Sequence, residues 1–147
     1  MLRPVPLFQD ADEVYAHIGR LLQGLVEDPD TARALARADT VVQFRLRQPD
    51  AQLTLRTLHG EEAGQVDLGD SQLRAEVVLQ MDADVAHRMW LGELNLAVAL
   101  ANGDVRARGP NAKILAVVPL VKPAQPRYRA QLEEAGRADL LNSGPSA

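Results

Sequence analysis

The chain has no cysteine, so thiol chemistry is excluded, and its three histidines and three serines are scattered. The histidines are His17, His59 and His87, and no pair has the His-x-x-x-His spacing that puts two metal ligands on one helix face. Asp82, Asp84 and His87 could converge at a helix start and form the best metal candidate. The plainer reading is that carboxylates at a helix N-terminus complement its dipole and that His87 is a solvated helix residue. Ser71 falls in a turn with no Gly-x-Ser-x-Gly elbow, and Ser143 and Ser146 fall near the C-terminus. Glu61 and Glu62 are adjacent in a turn, where solvation is a simpler role than acid/base work. Gly60, Gly64 and Gly69 are irregularly spaced between strands, whereas a phosphate-binding loop leads straight into a helix. No catalytic residue, metal ligand or cofactor is assigned.

The elements that would position any site are legible from periodicity. Asp10 caps a first helix, with Glu13 at capping-box spacing. Val14, Ile18, Leu21, Leu22, Leu25 and Val26 follow at helical spacing, and Asp28 and Pro29 stop the run. A short helix from about Pro29 reaches Ala38. The period then changes to two. Val42, Phe44 and Leu46 alternate with Gln43, Arg45 and Arg47, which predicts a strand with one buried and one wet face. Leu53 with Leu55, then Val66 with Leu68, mark two further strands. Leu73, Ala75, Val77, Leu79 and Met81 mark a fourth. Short turns between these predict an antiparallel meander. Helices follow, one ending at Gly92 and one running from Asn95 to Asn102. Val105 and Ala107 face inward on a last strand. Pro110 opens another helix, Pro119 ends or kinks it, and Pro123 and Pro126 make an extended link to a final helix that stops at Gly136. The fold class expected is α+β: a single five-stranded, largely antiparallel sheet with helices packed over one face.

The domain is expected to span residues 10–122, after a lead-in over 1–9. Residues 123–141 would be a linker and a helix packed on the domain, and 142–147 a disordered tail. The net charge of −4 offers no basic excess for nucleic acid. The longest apolar stretch, Ile114 to Val121, is far shorter than the ~20 residues of a membrane-spanning helix. Stable membrane insertion is therefore not expected, and the cytoplasm is the expected location. The C-terminal helices are unusually apolar. Leu94, Leu96, Val98 and Leu100 lie among alanines, and Ile114, Leu115, Val117, Val118, Leu120 and Val121 leave little polar face. Either these helices are simply buried, or one face meets a cavity or a partner.

The order of elements from Val41 resembles the sterol carrier protein 2 (SCP2) sterol-transfer domain family. The likeness lies in the strands ending at Leu79-Gln80-Met81-Asp82, the helix closing on Trp90-Leu91-Gly92, the alanine-rich helix reaching Asn102-Gly103-Asp104, and the strand closing on Gly109 before a helix with Ile114, Leu115 and Leu120. The resemblance covers roughly residues 10 to 121. It implies a tunnel between sheet and helices for a fatty acyl chain, sterol or other lipid, with no catalytic residues to carry over. Carried over loosely, the apolar lining would be Phe44, Met81, Trp90, Leu94, Leu100, Ile114, Leu115 and Val118. The partner implied is an apolar small molecule or lipid. A homodimer or other protein contact through the same groove is the alternative, and a small enzyme using Asp82, Asp84 and His87 is a third.

Overall fold

The computed structural model describes residues 7–57 and 62–142. The expectations for residues 1–6, for His59, Gly60 and Glu61, and for a disordered tail over residues 143–147 lie outside them.

The chain opens as the capping residues dictate. Asp10 Oδ1 accepts from the Glu13 backbone N–H at 2.9 Å, starting α1 (Ala11–Val14). Glu13 reaches back to the Gln9 N–H at 3.4 Å, one residue beyond the capping-box partner. The helix continues through a π-helical stretch (Tyr15–Gly19) into α2 (Arg20–Glu27), burying Ile18, Leu21, Leu22 and Leu25 on one side. Asp28 is extended and ends α2, and its carboxylate accepts from the Asp30 N–H at 3.0 Å to begin α3 (Pro29–Leu35). Pro29 sits in that first turn, where no intrahelical bond is owed to its missing N–H. A 3-10 turn (Ala36–Ala38) leads to the sheet.

The sheet departs from the expected meander in one step. β1 (Val41–Arg47), β2 (Ala51–Arg56) and β3 (Gln65–Leu68) pair antiparallel in sequence, but β4 (Val77–Asp82) does not join β3. It crosses to the other side of β1 and pairs with it in parallel, and β5 (Arg106–Arg108) joins β4 antiparallel, giving the order β3-β2-β1-β4-β5. The sheet is thus mixed but mostly antiparallel. The reason is burial. β4 alternates buried and half-buried residues, whereas β3 is short and has no buried residue. Beside β1, Val77, Leu79 and Met81 stand next to Val42, Phe44 and Leu46, and two apolar rows become one floor. Leu73 and Ala75, expected in this strand, lie in the connection that carries the chain across.

Helices cover that floor. α4 (Ala83–Leu91) buries Ala86, Met89 and Trp90, and the Trp90 ring meets Phe44 edge-on at 5.8 Å. Gly92, at φ +92°, ends α4 in the left-handed conformation that suits glycine. Asn95 caps α5 (Leu96–Asn102) through the Val98 N–H at 3.2 Å. After β5 come α6 (Asn111–Val117), with Pro110 at its cap, a 3-10 turn (Val118–Leu120) and α7 (Val121–Glu134). The extended link expected at Pro123 and Pro126 is therefore helical. Pro123 falls in the first turn of α7, where a missing N–H is tolerated. Pro126 lies inside the helix and removes one ladder bond. What holds the helix is packing: Val121, Ala124, Tyr128 and Leu132 are buried, and α7 lies along α4. The domain boundary expected at residue 122 falls inside this helix.

The other sheet face is open and polar. Arg45, Arg47, Arg106 and Arg108 are exposed there, and Arg45 donates to Gln43 at 2.6 Å, which in turn donates to the buried Thr54 hydroxyl at 3.3 Å. The edge strand β5 depends on Gly109. Its φ is +135°, and a Cβ there would lie 2.4 Å from the Glu76 carbonyl oxygen. Gly109→Ala is expected to lower stability by about 1–3 kcal/mol, read as an earlier midpoint in urea unfolding, with the loss of β5 seen as faster amide exchange at Arg106 and Arg108.

Candidate functional site

The chemistry-bearing residues singled out from the sequence do not come together. Asp82 stands at the start of α4 but makes no capping hydrogen bond, and it pairs with Arg47 at 3.4 Å. Asp84 Oδ1 accepts from the Leu7 N–H at 3.0 Å. His87 points into the protein and is fully buried, not solvated as its helix position suggested. The reason is the polar match awaiting it there. Among the described residues no group of three or more His, Asp and Glu could hold a metal. Ser71 donates to Asp67 at 2.6 Å and accepts from the Leu73 N–H at 3.0 Å, the work of a turn residue. The bond from the Gln65 amide, and after it the one from Ser71, holds the Asp67 carboxyl below its ordinary range.

His87 belongs to a clasp that joins both ends of the described chain. Its Nε2 lies 2.8 Å from the Leu140 carbonyl and its Nδ1 2.8 Å from the Tyr128 hydroxyl. A carbonyl only accepts, which assigns the proton to Nε2 and makes Nδ1 the acceptor of the Tyr128 O–H. Phe8 closes over the imidazole edge-on at 5.4 Å and stacks on His17 at 6.1 Å. Arg137 Nη1 lies 3.2 Å from His17 Nε2 and also donates to Glu13, and Gln131 donates to the His17 carbonyl at 2.7 Å. Burial lowers the affinity of both imidazoles for a proton, and the Arg137 charge adds to the effect at His17. Burial also pushes the Tyr128 phenol well above its usual value. With both ring nitrogens engaged and the ring sealed from solvent, His87 ties α4 to α7 and to the C-terminal 3-10 turn (Ala138–Asn142).

The eight residues expected to line a ligand space divide into four groups. Phe44, Met81 and Trp90 are buried and fill the interface between sheet and α4 with their own side chains. Leu100 and Ile114 are half-buried against that core. Leu94 and Val118 meet across a cleft of about 530 Å³ between the α4–α5 connection and the start of α7, with Leu96, Pro119, Lys122 and Gln125. Leu115 points outward and is 68% exposed.

A second cleft, of about 300 Å³, lies on the other side of Pro119. Its walls are Leu25, Thr31, Ala34 and Leu35 from α2 and α3, and Ala116, Pro119, Leu120 and Pro123 from the end of α6, the 3-10 turn and the start of α7, with Arg37 beside them. This hollow is mostly apolar and at the lower end of the volumes typical of small-molecule sites. Thr31 turns its hydroxyl to the Leu25 carbonyl at 2.6 Å, so its polar atom is spoken for. The residue-118–123 turn is a shared wall of both clefts. Leu25 stands in the apolar period of the first helix, but that period marks a buried face and gives no sign of a hollow between α2 and α3.

The SCP-2 sterol transfer family model matches residues 18–122, from the π-helical stretch in the middle of the first helix to the beginning of α7. The chain belongs to this family. No curated protein sequence matches it. Among solved structures, sterol carrier protein 2 from Yarrowia lipolytica in its apo form is 20% identical, with 74% of this chain and 89% of that one covered and a TM-score of 0.59. Sterol carrier protein domain 2 of Helicoverpa armigera is 14% identical, with 78% and 89% covered and a TM-score of 0.62. Palmitated SCP2L2 from Aedes aegypti is 16% identical, with 74% and 93% covered and a TM-score of 0.54. At these identities the shared property is the fold. The family match ends just as α7 begins, so the His87 partners Tyr128 and Leu140 lie beyond it. Among the described residues no helix of this family member is long and apolar enough to cross a membrane.

The clasp makes stability depend on pH with a definite sign. In the fold His87 and His17 resist protonation, while in the unfolded chain they take a proton near the ordinary value of about 6.5. The unfolded state therefore binds more protons as pH falls through that value, and stability drops. The contribution is fully present above about pH 6.5 and is lost as pH falls toward the lowered folded-state values. His87→Gln is expected to lower stability at neutral pH by about 1–3 kcal/mol and to flatten the slope of unfolding free energy against pH below about 6.5. Urea unfolding at a series of pH values measures both.

Proposed function

We propose that this SCP-2 family protein holds a single amphipathic lipid, with its acyl chain in the 300 Å³ cleft between α2–α3 and the residue-118–123 turn, and that it acts as a carrier or presenter without catalysing a reaction. The observation that carries the reading is the composition of that cleft: aliphatic and proline walls with one guanidinium, Arg37, beside them. Such a site suits a chain with an anionic head, because methylenes are transferred out of water while the carboxylate or phosphate stays near a fixed positive charge. Membership of a sterol transfer family and a fold shared with palmitated SCP2L2 from Aedes aegypti support the ligand class. The shared wall allows a longer ligand. Residues 119–126 contain three prolines and so lack three backbone donors, which leaves the wall between the two clefts with fewer ladder bonds than the helices around it.

The reading makes a graded prediction. Each methylene buried is worth about 0.8 kcal/mol, or about fourfold in affinity. A series of saturated fatty acids, competed against a fluorescent fatty acid, is expected to bind about fourfold tighter per added methylene until the cleft is full, and then to level off. Arg37→Ala is expected to weaken binding of the acids by about tenfold and leave the matching alcohols unchanged. Ala34→Phe, which fills the cleft, is expected to weaken both. Affinity that ignores chain length would count against an acyl site.

A further inference from the structure

The register of the central strands sets three arginines on the sheet face away from the helices. Arg45 on β1 stands beside Gln80 on β4, and Gln80 beside Arg106 on β5. In the next row Gln43, Val78 and Arg108 stand side by side. Cross-strand partners point to the same face of a sheet, as do residues two apart along a strand. Arg45, Arg106 and Arg108 therefore share one face, and all three are exposed. Strand geometry puts the Cα atoms of Arg45 and Arg106 ~10 Å apart and those of Arg106 and Arg108 ~7 Å apart. A solvated face ordinarily intersperses both signs of charge. Here the carboxylates are engaged elsewhere or stand at the margin. Asp82 pairs with Arg47 at 3.4 Å, and Asp67, on the far side of β2, accepts from Gln65 and Ser71. Arg45 Nε donates to the neutral Gln43. Among the described residues Arg106 and Arg108 make no ion pair, not even with Glu76, exposed just before β4. A chain of net charge −4 thus gathers three guanidiniums on one face without setting a carboxylate of its own against them.

We infer that this face, through Arg45, Arg106 and Arg108, docks a carboxylate-rich segment of a partner protein. The argument is charge complementarity. A guanidinium presents a planar fork that takes a carboxylate through two parallel hydrogen bonds. Like charges held side by side on one face repel until an anion joins them. The spacing suits carboxylates carried on a protein backbone. One face of an extended segment repeats every ~7 Å, and residues seven apart on a helix stand ~10 Å apart. Other occupants fit less well. A single-stranded nucleic acid stacks its bases on aromatic rings, whereas the two rows of this face present Gln, Thr, Val and Arg. A protein that grips a nucleic-acid duplex contacts roughly six to ten phosphates, more than these cations supply, and the net charge of −4 opposes it. A two-fold contact between copies would set the cationic face against itself. The two clefts beside Pro119 lie among the helices, across the sheet from this face, so a partner docked here leaves both open. The inference therefore stands apart from the acyl-carrier reading.

The test is titration of the full chain with a fluorescent oligoglutamate peptide at low and high salt, read by anisotropy, with amide chemical shifts followed on an isotope-labelled sample. The expected result is binding that weakens with salt, with shifts concentrated around Arg45, Gln80, Arg106 and Arg108. Arg106→Glu combined with Arg108→Glu is expected to weaken binding by about tenfold or more. Arg106→Gln combined with Arg108→Gln removes the charges more gently and is expected to weaken it several-fold, which keeps the test decisive if charge reversal unfolds the short edge strand. Arg33→Glu, at an exposed position on α3, is expected to leave binding unchanged. No binding at low salt overturns the inference. So does an equal loss in Arg33→Glu and the β5 variants, which would make the attraction one of net charge alone, and so do shifts that fall on the helices. A DNA duplex bound more tightly than the peptide at the same residues would reassign the face to nucleic acid. A wild-type dimer in sedimentation that the glutamine pair dissociates would make it a contact between copies, and either result also overturns the inference.

Discussion

The parallel pairing of β1 with β4 is the constraint on which the remaining structure depends. It sets Val42, Phe44 and Leu46 beside Val77, Leu79 and Met81 and makes the centre of the sheet a continuous apolar floor. A floor of that width must be covered on one face. α4 is delivered directly from the end of β4, so Met89 and Trp90 arrive over it without a long connection. α7 then packs on α4, and the clasp of His87 with Tyr128 and Leu140 locks that second layer in place.

This order of dependence explains where the clefts are. The interface between sheet and α4 is filled by large side chains, with Phe44 and Trp90 in edge-on contact. Space remains farther out, where short helices meet through prolines. α3 is seven residues long, α6 is seven, the turn between α6 and α7 carries Pro119, and the first turn of α7 carries Pro123. Short helices with interrupted ladders cannot interdigitate along a full ridge, so they leave gaps at their ends. The two hollows on either side of Pro119 are such gaps.

Polar residues serve architecture more than chemistry. Asp84 anchors Leu7, Asp28 ends one helix, begins the next and pairs with Arg127, and Arg137 gathers Glu13, Asp139 and His17. Each joins segments far apart in the chain. The His17 imidazole is the one member of this set whose type titrates near neutrality in water.

Much was legible in the sequence because it is local. Period two in Val42–Leu46 and Leu53–Leu55 marked the strands, Asp10 and Asn95 marked helix starts, and Gly92 and Gly109 marked ends whose backbone conformations need glycine. The order of those signals was enough to suggest the family. What the sequence could not decide is which strand lies beside which, since pairing with β3 or with β1 satisfies the same alternation and only the combined burial of both rows separates them. His87 looked solvated because its partners, Tyr128 and Leu140, lie 41 and 53 residues away. Pro123 and Pro126 looked like a linker because a local rule penalises proline in a helix, and packing on α4 outweighs that penalty. The apolar residues 94–121 were evident as composition. Their division into core, cleft wall and exposed rim was made only when the helices closed on one another, because exposure is a property of neighbours and not of residue type.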